Sequence, residues 1–260
     1  MRHLVALLLL LPLAARAQPA PQLNANLYQA TALVTGTDMR QRPLGFALTL
    51  TEVLVKITGQ PGLRSDPRLP ALLETADQSA DSYTYLDPRA GLLHHDDQGT
   101  YDRTQEMTVR YNPAKIQALL DSLNLKAWTA PRPLITPILI VRSREPTAFL
   151  LSAENPRGAE YRIALTRLAA EHGLGIHFPS ESELAAWAVT LTGFPAPLNT
   201  PGPDRLVIAD MLNFDVHELG WVGTWRAGEV TWRIAGVGYD QAFADLMRGA
   251  ALLASGNGKP

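Results

Sequence analysis

Between Ala127 and Pro133 the chain reads Ala-Trp-Thr-Ala-Pro-Arg-Pro, and two prolines one residue apart stop a helix or an inner strand from running through. This break constrains the fold of the 260-residue chain more than any other feature. A complete strand, helix, hairpin and helix pattern precedes it, and a second alternating set follows. The reading is an α/β protein of the α+β kind with mixed sheets. It has two small domains in tandem, residues 23–130 and 131–255, and a tail at 256–260 that is predicted to be disordered.

In the first half, residues 27–35 alternate as a strand and Gly36-Thr37-Asp38 turns it. Pro43, placed for a first helical turn, and Gly59, placed just past a last one, bracket a helix. It carries two apolar rows, Leu44, Ala47, Leu48, Leu54 and Phe46, Leu50, Val53, Ile57, separated by the small or polar stripe Gly45, Thr49, Glu52, Lys56. A helix apolar on two sides is expected to be buried on both. A breaker-rich loop and a weak helix at 68–80 follow, then two strands at 82–86 and 104–111 paired as a long hairpin. Asn112 caps the next helix ahead of Pro113, with Ile116, Leu119, Leu120 and Leu123 on one face.

The second half opens with branched residues at 134–141, the pattern of a buried strand, followed by a long loop. Tyr161, Ala164, Leu165 and Leu168 mark a helix ending at Gly173, and 174–178 reads as a short strand. Ser180 with Glu183 forms a capping box before Leu184, Trp187, Ala188 and Leu191. After a loop at 193–203 with four prolines come a buried strand at 206–209, a hairpin of 219–226 with 230–237 across Ala227-Gly228-Glu229, and a last helix on Phe243, Leu246, Met247 and Ala250.

The N-terminus begins Met-Arg-His, continues as an apolar run at 4–11, and reaches Ala15-Arg16-Ala17, the order of a cleaved secretory signal at 1–17. The run is too short for a span of about 20 residues, and no later stretch approaches one, so the expected mature chain crosses no membrane. Removing 1–17 leaves 21 basic against 25 acidic residues, a formal charge of −4. With only four lysines in the whole chain, that balance excludes a large basic footprint for nucleic acid. The absence of cysteine excludes thiol catalysis, iron–sulfur clusters and cysteine zinc sites.

The tip of the first hairpin holds His94-His95-Asp96-Asp97, the one dense cluster of metal-capable side chains in the sequence. Neighbours on an extended strand point to opposite faces and no third ligand stands at a motif spacing, so His94, His95 and Asp96 are weak metal candidates and a solvated tip is favoured. His172, His177 and His217 read as capping or surface groups. No G-x-S-x-G elbow, H-E-x-x-H pair or phosphate-cradling glycine loop occurs, and no cofactor is implied. The most distinctive constellation is Trp221, Trp225 and Trp232 on the second hairpin, with Arg226 and Arg233 beside them. Exposed, these five residues would grip a sugar face or a partner protein; packed under the helices, the rings would be core, and the core reading takes precedence because large aromatics serve cores readily.

Several segments together resemble a family of exported proteobacterial proteins, the domain-of-unknown-function family numbered two thousand and sixty-six. They are Leu54-Val55-Lys56-Ile57-Thr58-Gly59, Val109-Arg110-Tyr111-Asn112-Pro113, Leu125-Lys126-Ala127-Trp128, Leu168-Ala169-Ala170-Glu171-His172-Gly173-Leu174 and Leu206-Val207-Ile208-Ala209-Asp210. The resemblance implies an exported, envelope-associated protein and brings no reaction, cofactor or catalytic residue. The functional expectation is a periplasmic, non-catalytic binding or assembly module of the cell envelope with a protein or glycan partner. The alternative is a periplasmic hydrolase acting on glycan or peptide through dispersed Asp, Glu and His residues.

Overall fold

The structure, a computed structural model, describes residues 27–91, 103–195 and 204–260. Residues 1–17, read from sequence as an export signal, the His94-His95-Asp96 tip and most of the four-proline loop lie outside the described residues. The fold is a mixed α/β arrangement built on two sheets, each over its own apolar core.

In the first half, β1 (Gln29–Thr35), β2 (Ala80–Leu86) and β3 (Thr104–Tyr111) form an antiparallel sheet in the order β1-β3-β2. Across it lies α1 (Arg42–Thr58), ended by Gly59 at φ 67°, whose N–H closes on Val55 O at 2.8 Å. Only a residue without a β-carbon takes that left-handed cap without strain. The short α2 (Leu69–Leu73) and a 3-10 turn at Ala76–Ser79 replace the single weak helix expected there. Helix α3 (Pro113–Ser122) starts where Asn112 Oδ1 accepts from the N–H groups of Ala114 and Lys115.

The orientation of α1 differs from the expectation of burial on both apolar sides. The stripe of Gly45 and Thr49 faces the sheet, and Leu44 and Leu48 remain 51% and 46% exposed. Close approach is the cause: a β-carbon on Gly45 would stand 2.3 Å from Met107 Sδ, so the helix sits where its small residues are. Beneath it Leu50, Val53 and Leu54 are wholly buried, each contributing roughly 1.5–3 kcal/mol. Farther along, Lys56 Nζ meets Glu52 Oε1 at 2.5 Å and donates to Gln29 O at 3.0 Å, both side chains nearly covered.

In the second half, β4 (Leu134–Arg142) runs parallel to β7 (Arg205–Asp215), which continues antiparallel into β8 (Gly220–Ala227) and β9 (Val230–Val237). The other edge of β4 carries two two-residue strands, β5 (Phe149–Leu150) and β6 (Gly175–Ile176). Pro137 explains the split. Ile135 O accepts from His177 N–H and Leu139 O from Leu151 N–H, so by alternation position 137 faces the same edge, and there it offers no donor to a continuous partner. The β5 segment falls within the expected long loop, because two residues leave no period to detect. Helices α4 (Ala159–Glu171) and α6 (Tyr239–Ser255) cover one face of this sheet, and α5 (Glu181–Ala186) brings Leu184 and Trp187 to a smaller core with Ile138 and Ala209.

Contacts between the halves gather at the end of α1. Trp128 N–H donates to Ile57 O at 2.7 Å, Arg132 Nη2 donates to Lys56 O at 2.8 Å, and the Arg132 guanidinium lies 3.9 Å over the Trp128 ring. The C-terminal segment joins this cluster: Ser255 Oγ donates to Gly59 O and Asn257 Nδ2, in the 256–260 tail, to Thr58 O. The last carbonyls of α1 have no intrahelical partner and belong to buried residues, so they need donors, and these groups supply them.

Candidate functional site

The five residues expected on the second hairpin are split between two faces. Trp225 pairs with Trp232 across β8 and β9, so both rings fall on the face under α6. Trp225 is wholly buried, with Gly223 beneath its ring, and Trp232 packs on Gly249 of α6. Trp221 is half-buried among Tyr161, Phe214 and Tyr239, in edge contacts of about 6 Å. Trp225 therefore serves the core with no exposed surface, while Trp221 and Trp232 pack against that core and each keeps part of its ring exposed.

Arg226 and Arg233 lie on the opposite face by the same alternation. Arg233 Nη2 donates to Glu218 Oε1 at 2.6 Å, and Arg226 stands 4.9 Å over Phe194 and 3.9 Å from Asp210. Asp210 itself holds φ 145° within β7, and burial raises its carboxyl above the ordinary range against the pull of Arg226.

The histidines have local duties. His172 Nδ1 donates to Leu168 O at the end of α4, and the His217 N–H donates to Asp215 Oδ1 in a turn. His177 Nε2 stands 3.2 Å from Glu183 Oε1, but the same carboxylate accepts from Ser180 N–H in the capping box. That backbone bond, ahead of the His177 charge, holds the Glu183 pKa below its usual value. Among the described residues no group of three or more His, Asp or Glu gathers to hold a metal.

A concave site does form in the first half, where sequence reading placed none. A cleft of about 660 Å³ opens between the start of α1, the segment from α2 through its 3-10 turn, and β2. Pro43, Phe46, Leu73 and Ala76 give it an apolar floor, Tyr83 closes edge-on against Phe46 at 5.3 Å, and the Arg42 guanidinium lies 5.4 Å over the Tyr83 ring. Glu74, Asp77 and Asp81 stand exposed around it, and none has an ion-pair partner among the described residues. Three carboxylates against one guanidinium leave the cleft net negative.

The cleft adjoins a sheet edge that no other described strand pairs with. Asn112 N–H donates to Ser79 O while Tyr111 N–H donates to Tyr28 O, so even positions of β3 point to β2 and odd ones to β1. Their partners Ser82, Thr84 and Leu86 use their backbone groups inward, and those of Tyr83 and Tyr85 face away from β3. The sequence signalled this strand, at 82–86. It could not signal that β2 ends the sheet, since strand order rests on contacts distant in the chain.

Residues 22–129 match a family described as Domain of unknown function (DUF8605), and that span contains every residue of the cleft. The match corrects the resemblance to the family numbered two thousand and sixty-six. The segments behind that resemblance are helix ends, caps and buried strands, which unrelated α/β chains share for the same physical reasons. Neither the curated proteins nor the solved structures compared with the chain gave a match. No helix among the described residues is long and apolar enough to cross a membrane.

Proposed function

We propose that the protein is an exported binding or assembly module of the cell envelope, working without catalysis, and that it holds its partner in the cleft beside β2. One observation carries the reading: an aromatic and arginine-bearing concavity of about 660 Å³ opens onto a sheet edge left unpaired among the described residues. Tyrosine, phenylalanine and arginine are the side chains from which binding hot spots are built. The charged, short-cored N-terminal segment supports export. Within this reading the two sheets act as two domains, the first carrying the binding surface and the second bracing the end of α1.

The test places a photo-crosslinking side chain at Ser82, which is exposed on the edge strand, and separately at Leu219, 88% exposed on the distant hairpin turn. Expressed in cells that export it, the protein is expected in the periplasmic fraction with its new N-terminus at Gln18. A discrete adduct is expected from position 82 and none from 219. Retention in the cytoplasm, or the same adducts from both positions, would overturn the proposal.

A further inference from the structure

Resting on that assignment of the cleft, we infer that the partner presents an extended segment alternating basic and apolar residues, which adds to β2 as a fourth strand. The outward N–H and C=O groups of Tyr83 and Tyr85 offer two donors and two acceptors in strand register. Proteins usually blunt such an edge with lysine, proline or a covering element. Here β2 reads Ala-Asp-Ser-Tyr-Thr-Tyr-Leu, with neither lysine nor proline.

Geometry divides the roles of the added strand. Side chains on its α1 side enter the cleft over Phe46, Pro43 and Leu73, where an aliphatic residue fits the apolar floor. Glu74, Asp77 and Asp81 around the cleft set a negative potential that favours basic side chains on the added strand. The same charges oppose a second copy of this chain as occupant, because pairing β2 with its own twofold mate would set carboxylates against carboxylates. They equally oppose an acidic segment.

The experiment titrates the mature protein with labelled peptides and reads fluorescence anisotropy. The reference is a capped Lys-Val-Lys-Val-Lys-Val-Lys heptapeptide, and a second peptide carries Glu for every Lys. Two more carry backbone N-methyl groups, one on the valines and the other on the inner lysines. A strand added to one edge uses only alternate N–H groups, so methylation of one set should weaken binding roughly tenfold or more while the other changes it less than about twofold. The acidic peptide should bind roughly tenfold more weakly, and that gap should shrink with salt. Glu74→Lys/Asp77→Lys, a change at two exposed positions, should reverse the preference.

Equal sensitivity to both methylation patterns, equal binding of the acidic peptide, or no binding at millimolar peptide would each overturn strand addition. The outcome is separable from the cleft assignment: a specific adduct at Ser82 without peptide binding removes strand addition alone, whereas no adduct at Ser82 removes the cleft as the partner site.

Discussion

The indole of Trp225 lies flat against the backbone of Gly223, two residues earlier on the same face of β8: a β-carbon at 223 would stand 2.1 Å from Cζ2 of the ring. Glycine is needed there for space, since the largest side chain of the second core occupies the position a methyl would take.

Gly223→Ala is therefore expected to destabilise the protein by about 1–3 kcal/mol, the cost of overpacking a closed core. The loss should shrink in a Trp225→Leu background, where the smaller side chain frees the volume. Urea unfolding of the four proteins in the cycle measures the coupling, and additive losses would show that the ring and the glycine do not compete.

Tyr111, almost wholly buried, donates from its hydroxyl to Phe46 O at 2.8 Å and sits 2.8 Å from Thr49 Oγ1. Burial pushes its phenol well above the usual range, so it stays protonated and keeps this bond at any ordinary pH. Tyr111→Phe should cost about 1–2 kcal/mol through the acceptor it leaves buried. An unchanged urea midpoint would contradict that.

His172 is 5% exposed, and burial lowers its pKa from 6.5, with Arg64 and Lys56 reinforcing the shift and Glu171 opposing it. The unfolded chain takes up a proton at higher pH than the folded one. The stability linked to the neutral ring is thus present above about pH 6.5 and is lost as pH falls through the lower folded pKa. Thermal midpoints measured downward from neutrality should fall more steeply for the native protein than for His172→Gln. Parallel curves would remove His172 as the cause.

Asn257 Nδ2 donates to Thr58 O at 2.8 Å, tying the end of the chain to the last turn of α1. Asn257→Ala should cost about 1 kcal/mol and speed amide exchange at Asn257 and Gly59. Exchange unchanged at both positions would mean the contact carries no weight.

Much of the local structure was legible because its causes are local. Gly59 ends α1, Asn112 and Pro113 begin α3, and Ser180 with Glu183 opens α5, each through groups within a few residues. The branched, mostly apolar residues of β4 announced a buried strand. Other features escaped. Leu44 and Leu48 belong to as apolar a row as Leu50 and Val53, yet they stay exposed, because the distance between helix and sheet selected Gly45 and Thr49 for the contact. Trp221, Trp225 and Trp232 could not be assigned to core or surface until α6 was known to lie across their face.

The candidate site shows the same division. Phe46, Tyr83 and the carboxylates of Glu74, Asp77 and Asp81 were all visible as residues, but 37 positions separate Phe46 from Tyr83, and no periodicity joins them. By itself the sequence determined the end of α1 and the starts of α3 and α5, since propensity and capping act through neighbouring residues. Only the tertiary structure decided which strand became the free edge and which rings were sealed, because pairing and burial depend on segments distant in the chain.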